Sequence, residues 1–69
     1  MLSISEQLAE RSFVIFEAGR MGATSLYQHF ECLLQRPDNI GAYYLVWLLL
    51  REPHANFELL KTMVRRLKA

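Results

Sequence analysis

The run AYYLVWLLL, residues 42–50, limits the possible folds of this chain more than any other feature. It places nine apolar or aromatic residues together, without a charge, in a protein of 69 residues. From Ile40 to Arg51 the segment reads as one helix, ended by Glu52-Pro53 because the residue before a proline avoids the α region. About twelve residues rising 1.5 Å each span about 18 Å, well short of the roughly 30 Å hydrocarbon core of a bilayer. The segment therefore cannot cross a membrane. It is apolar on nearly every face, so a single neighbouring helix would not cover it. The sequence predicts a central helix, with one face turned inward and another meeting a second chain.

Chain length sharpens this expectation. Ordering a chain of this size costs on the order of 100 kcal/mol of conformational entropy, while a short chain buries only about 60% of the surface it exposes unfolded. Small domains usually add disulfides, a metal or a second subunit. Cys32 is the only cysteine, so no internal disulfide can form, and one cysteine with two histidines supplies a zinc site poorly. The hydrophobic fraction is nevertheless 52%, above the range of ordinary soluble domains. Surplus apolar surface without a covalent or metallic staple points to a homodimer.

The rest of the chain reads as short helices in a single domain, residues 1–69. Ser3 followed by Glu6 is a capping-box pattern, which starts a helix near Ile4. Ile4, Leu8, Arg11 and Ile15 form one possible stripe of that helix, with Ala9, Phe13 and Phe16 beside it. Gly19 and Gly22 either break the helix into a loop or lie within one longer helix at a cost of about 1 kcal/mol each. Thr24 and Ser25 are good N-caps for the next helix, on which Leu26, Phe30, Leu33 and Leu34 recur at helical spacing until Pro37. Asp38 or Asn39 can cap the apolar helix. A last helix, from about Ala55 to Leu67, carries a narrow seam of Phe57, Leu60, Val64 and Leu67, and its basic end complements the helix dipole. The fold class expected is all-α: three to four short helices in an antiparallel hairpin or bundle, joined by short spacers.

Catalytic chemistry is hard to find. His29 and Cys32 share a helical face at i, i+3, but the reading preferred here is a surface histidine and a small buried thiol. Glu6 and Glu10 at i, i+4 read as a solvated face. No catalytic, cofactor-binding or metal-ligating residues are assigned, no cofactor is expected, and the chain is not read as an enzyme. A net charge of +1 sets up no strong field toward nucleic acid or membrane. The N-terminus shows no basic segment ahead of an apolar core, and one unpaired cysteine suits a reducing compartment, so a cytoplasmic protein is expected.

Binding residues are better supplied. Aromatic side chains with a polar tip suit interfaces. Tyr44, Trp47, Leu48, Phe57, Leu60 and Val64 are expected to form a self-association surface, and Tyr43, Arg36, Arg51, Arg65 and Arg66 a partner-binding surface. The function expected is that of a small protein-binding regulator that inhibits its partner by steric cover. Two alternatives come from other classes: a small DNA-binding protein using the basic last helix or the helix that carries TSLYQHF, and a structural subunit of a larger assembly.

Two resemblances accompany these readings. TSLYQHF, residues 24–30, resembles the recognition-helix segment of the TetR family, in which a Leu-Tyr-x-His-Phe run is common. It covers seven residues, and the family's preceding helix with its Ile-Ala-x-x-Ala-Gly turn is missing. It implies a helix here, with Tyr27 and Phe30 packed. In length, helical pattern and lack of catalytic groups the whole chain resembles small phage-encoded regulators, in particular the quorum-sensing anti-activators of pseudomonad phages. That resemblance carries no motif and transfers no residues. It implies a host transcriptional activator of the LuxR type as target.

Overall fold

The computed structural model describes residues 1–69 and contains four helices and no strand: α1 (Ile4–Glu17), α2 (Ala23–Leu34), α3 (Ile40–Leu50) and α4 (Phe57–Lys68). The expected all-α class is correct. No helix is long and apolar enough to cross a membrane.

Local signals explain most helix ends. Ser3 Oγ accepts from the Glu6 amide while Glu6 Oε1 accepts from the Ser3 amide, each at 3.1 Å, so the capping box forms. The two glycines do break the helix. Gly19 adopts φ 78°, which a side chain would disfavour, and Gly22 is the N-cap of α2, leaving Thr24 and Ser25 inside that helix. Asp38 Oδ1 accepts from the Ile40 amide at 3.2 Å and opens α3, while Asn56 Oδ1 accepts from the Leu59 amide at 3.1 Å and opens α4.

α3 is central, in contact with all three other helices, whereas α1 and α4 do not touch. Its inward face is Ala42, Leu45, Val46 and Leu49, which join Leu26, Phe30 and Leu33 of α2 and Leu60 and Met63 of α4 in one core. The α1 stripe differs from the expected one. Ile4 is 69% exposed and Arg11 is exposed, while the buried positions are Ser5, Ala9 and Ser12. Their small side chains let α1 lie close on α3, and at the start of α3 Ser5 meets Gly41, which has no side chain. Both buried serines are satisfied: Ser5 Oγ accepts from the Gly41 amide at 3.1 Å, and Ser12 Oγ donates to the Leu8 carbonyl at 2.8 Å. Hydroxyls at these two positions are compatible with burial only because each has a partner.

The α4 seam also turns. Leu60 and Met63 face inward, with Leu59, Val64 and Leu67 at the margin, and Phe57 lies outside at 69% exposure. Rotating the seam by about one position moves Phe57 from contact with the core to the surface.

Candidate functional site

The central helix is apolar all round, but its neighbours cover only part of it. Ile40, Tyr43, Trp47 and Leu50 recur at i, i+3, i+7 and i+10, and all four are exposed. This spacing places them in one stripe along the outer face of α3. Trp47 is 50% exposed. Its ring is flanked by Tyr44, with centroids 5.7 Å apart, and the Arg51 guanidinium lies 4.8 Å from its centroid. The two neighbours restrict the indole at an exposed site, where the contact with the guanidinium is worth about 0.5–1 kcal/mol. Tyr44 is half-buried. Desolvation, then the nearby carboxylates of Glu10 and Glu6, push its hydroxyl above the usual tyrosine range.

At its end the stripe runs into a groove. Leu50 forms one wall, and Phe57, Leu60, Lys61, Val64, Arg65 and Lys68 of α4 supply the rest of a concavity of about 330 Å³. The Lys61 ammonium lies 5.4 Å from the Phe57 ring centroid and 3.7 Å from Glu58 Oε1.

The expected self-association residues fall into three settings. Trp47 and Phe57 are exposed; Tyr44, Leu48 and Val64 are half-buried. Leu60 is only 8% exposed and belongs to this chain's own core, with its edge at the floor of the groove. Leu48 lies apart from the outer stripe, beside Phe13, Glu17, Arg51 and Glu52.

The expected partner-binding residues are likewise dispersed. Tyr43 joins Trp47 on the outer stripe, and Arg51 stacks on that tryptophan. Arg65 is exposed on the rim of the groove. Arg36 lies at the far end of the molecule, beside Ile4, Ser5, Pro37 and Asp38. Arg66 is engaged within the chain: its Nε donates to Glu31 Oε2 at 2.8 Å and to Oε1 at 3.2 Å, joining α4 to α2. Tyr27 Oη donates to the same carboxylate at 2.9 Å. The Arg66 hydrogen bond is the largest influence holding the Glu31 carboxyl below its ordinary range, and the bond to Glu31 raises Tyr27. Adjacent arginines on a helix point about 100° apart, so one can bind inward while the other faces water.

Ile40 and Leu50 belong to this surface and were not among the expected residues, whereas Lys61 and Lys68 belong to it as part of the basic last helix. The i, i+3, i+7, i+10 spacing of Ile40, Tyr43, Trp47 and Leu50 was present in the sequence, but an all-apolar helix gives no internal sign of which stripe stays uncovered.

The preferred reading of His29 and Cys32 is reversed. Cys32 is exposed, whereas His29 is half-buried with its Nε2 enclosed and unpartnered. No group of three or more His, Cys, Asp and Glu side chains is arranged to hold a metal ion. No family model matches the chain, and neither a curated protein nor a solved structure matches it.

Proposed function

We propose that this chain is a small, non-enzymatic protein-binding regulator that pairs with a copy of itself and inhibits a partner by covering a face the partner needs. The observation that carries this reading is the exposed stripe of Ile40, Tyr43, Trp47 and Leu50 on the central helix. A row of large apolar side chains along three helical turns is a patch that monomers rarely leave uncovered. The stacked Tyr44 and Arg51 reduce the freedom of Trp47 before any partner arrives, which lowers the entropy cost of binding. The same row on two copies is self-complementary about a two-fold axis, as a homodimer requires. The resemblance to phage anti-activators extends the proposal to a host activator of the LuxR type as the covered protein.

The DNA-binding alternative is weakened by Arg66. Its ion pair with Glu31 leaves Lys61, Arg65 and Lys68 as the remaining α4 cations, few for a reader that depends on many phosphate contacts.

Two measurements test the proposal. Sedimentation velocity over a dilution series should show a dimer that Tyr43→Ser with Trp47→Ser converts to a folded monomer. Affinity capture from the natural host cell should retain a protein with the native chain and lose it with a variant of the binding surface. A compact monomer at all concentrations rejects the pairing, and steep salt-sensitive retention on random duplex DNA with no captured protein rejects the regulator.

A further inference from the structure

We infer that the groove between the end of α3 and the outer face of α4 binds an acidic amphipathic helix of a partner protein. The inference deepens the protein-binding reading above and rests on it.

Six of the groove's seven lining residues come from α4, and they form two parallel rows. Phe57, Leu60 and Val64 stand at i, i+3 and i+7, an apolar row closed on its far side by Leu50. Lys61, Arg65 and Lys68 stand at i, i+4 and i+7, a cationic row along its edge. No carboxylate lines the groove. The nearest partner is Glu58, which meets Lys61 at 3.7 Å with the Glu58 side chain 81% exposed and the Lys61 side chain 45% exposed. An exposed pair of this kind contributes little and is easily exchanged for a better anion. The residues from Phe57 to Lys68 cover about 18 Å of helix, about three turns. The complement is therefore a helix of about three turns with an apolar row at i, i+3 and i+7 and a row of Asp or Glu on one flank.

A second copy of this chain fits the groove poorly. Its exposed segment carrying both acids and apolar residues is the outer face of α1, with Ile4, Glu10, Val14 and Glu17, and that face also presents Arg11 between Glu10 and Val14. Docked in the groove, Arg11 would meet the cationic row. Phosphate ligands match the charge but leave the apolar row uncovered, so a peptide helix satisfies both rows where a nucleic acid satisfies one.

The test uses two fluorescein-labelled synthetic peptides of equal length with the same leucine pattern, one with glutamates along one flank and one with lysines there. Anisotropy titration of the full chain should show saturable binding of the acidic peptide, weakened by salt, and binding of its basic twin at least about tenfold weaker. Lys61→Glu with Arg65→Glu should reverse the preference. Phe57→Ala should weaken the acidic peptide by about tenfold or more without changing the thermal melt, since that ring is exposed. In amide shift maps the changes should concentrate at Leu50, Phe57, Val64 and Arg65. Equal binding of both peptides overturns the inference. So do shifts centred on Tyr43 and Trp47, and so does retention on phosphatidylserine vesicles or duplex DNA without binding of the acidic peptide. If the peptide fails but the chain still captures a protein through another face, the groove is refuted and the regulator stands. If both fail, the regulator falls as well.

Discussion

Gly41→Ala tests the central packing of this fold. Gly41 lies in the first turn of α3 beneath α1, and an added Cβ would collide with Ser5 Oγ and lie 2.5 Å from the Ser5 carbonyl oxygen and 2.8 Å from its carbon. Two of these atoms are backbone, so no rotamer change relieves the contact and α1 must move away. Overpacking of this kind costs about 1–3 kcal/mol. The movement also stretches the bond from the Gly41 amide to Ser5 Oγ, and leaving that amide unsatisfied costs about 1–3 kcal/mol more. Alanine returns about 1 kcal/mol through its higher helix propensity. The net loss is about 3 kcal/mol, against a total stability of roughly 3–10 kcal/mol for a domain of this length. In a domain this small it lowers the melting temperature by about 12–24 °C. Urea titration followed by circular dichroism measures the loss, with two internal comparisons. Gly19→Ala, at positive φ in open space, should cost about 1–2 kcal/mol. Gly22→Ala, an N-cap with nothing nearby, should cost about 0.5–1 kcal/mol. Adding Ser5→Ala to Gly41→Ala should not restore stability, because the backbone contacts remain. If Gly41→Ala is as stable as the native chain, or if Ser5→Ala rescues it fully, α1 and α3 do not approach as described.

Other perturbations separate core from surface and test the α2–α4 tie. Phe30→Ala, at a fully buried ring, should cost about 3–5 kcal/mol and leave the chain largely unfolded, whereas Trp47→Ala should cost only about 1–2 kcal/mol in the monomer while abolishing self-association; equal losses in chemical denaturation would refute the placement of Trp47. The Glu31 carboxyl is held below its ordinary range by Arg66, so its contribution to stability is present above the unfolded-state pKa and disappears as pH falls through the lower folded value. Glu31→Gln should therefore be less stable than the native chain at neutral pH and converge with it in acid, and a constant gap down to low pH would argue against the Arg66 pair. Cys32, exposed on α2, should react with a thiol reagent in the folded protein at a rate near that of the denatured chain, and strong protection would contradict its position.

Much of the fold was legible in the sequence because it depends on local chemistry. Ser3 with Glu6, Pro37 and Pro53 punctuate the chain by rules that act over three or four residues and place helix boundaries almost where the structure has them, while the glycines at 19 and 22 left three or four helices open and the structure breaks the chain there into four. The recurrence of Leu26, Phe30 and Leu33 identified the buried face of α2 for the same reason. The tertiary structure decided which faces of the other helices are covered. The expected stripe of α1 was Ile4, Leu8, Arg11 and Ile15 with Ala9 beside it, yet Ser5 and Ser12 are buried with Ala9, because the close approach of α1 to α3, tightest where Ser5 meets Gly41, rewards small volume and each serine finds a hydrogen-bond partner. Arg65 and Arg66 look alike in sequence, but one faces solvent and the other binds Glu31, 35 residues away. On α3, where every face is apolar, periodicity carries no information. Only the positions of α1, α2 and α4 determine that Ala42, Leu45 and Leu49 are enclosed while Tyr43, Trp47 and Leu50 face outward.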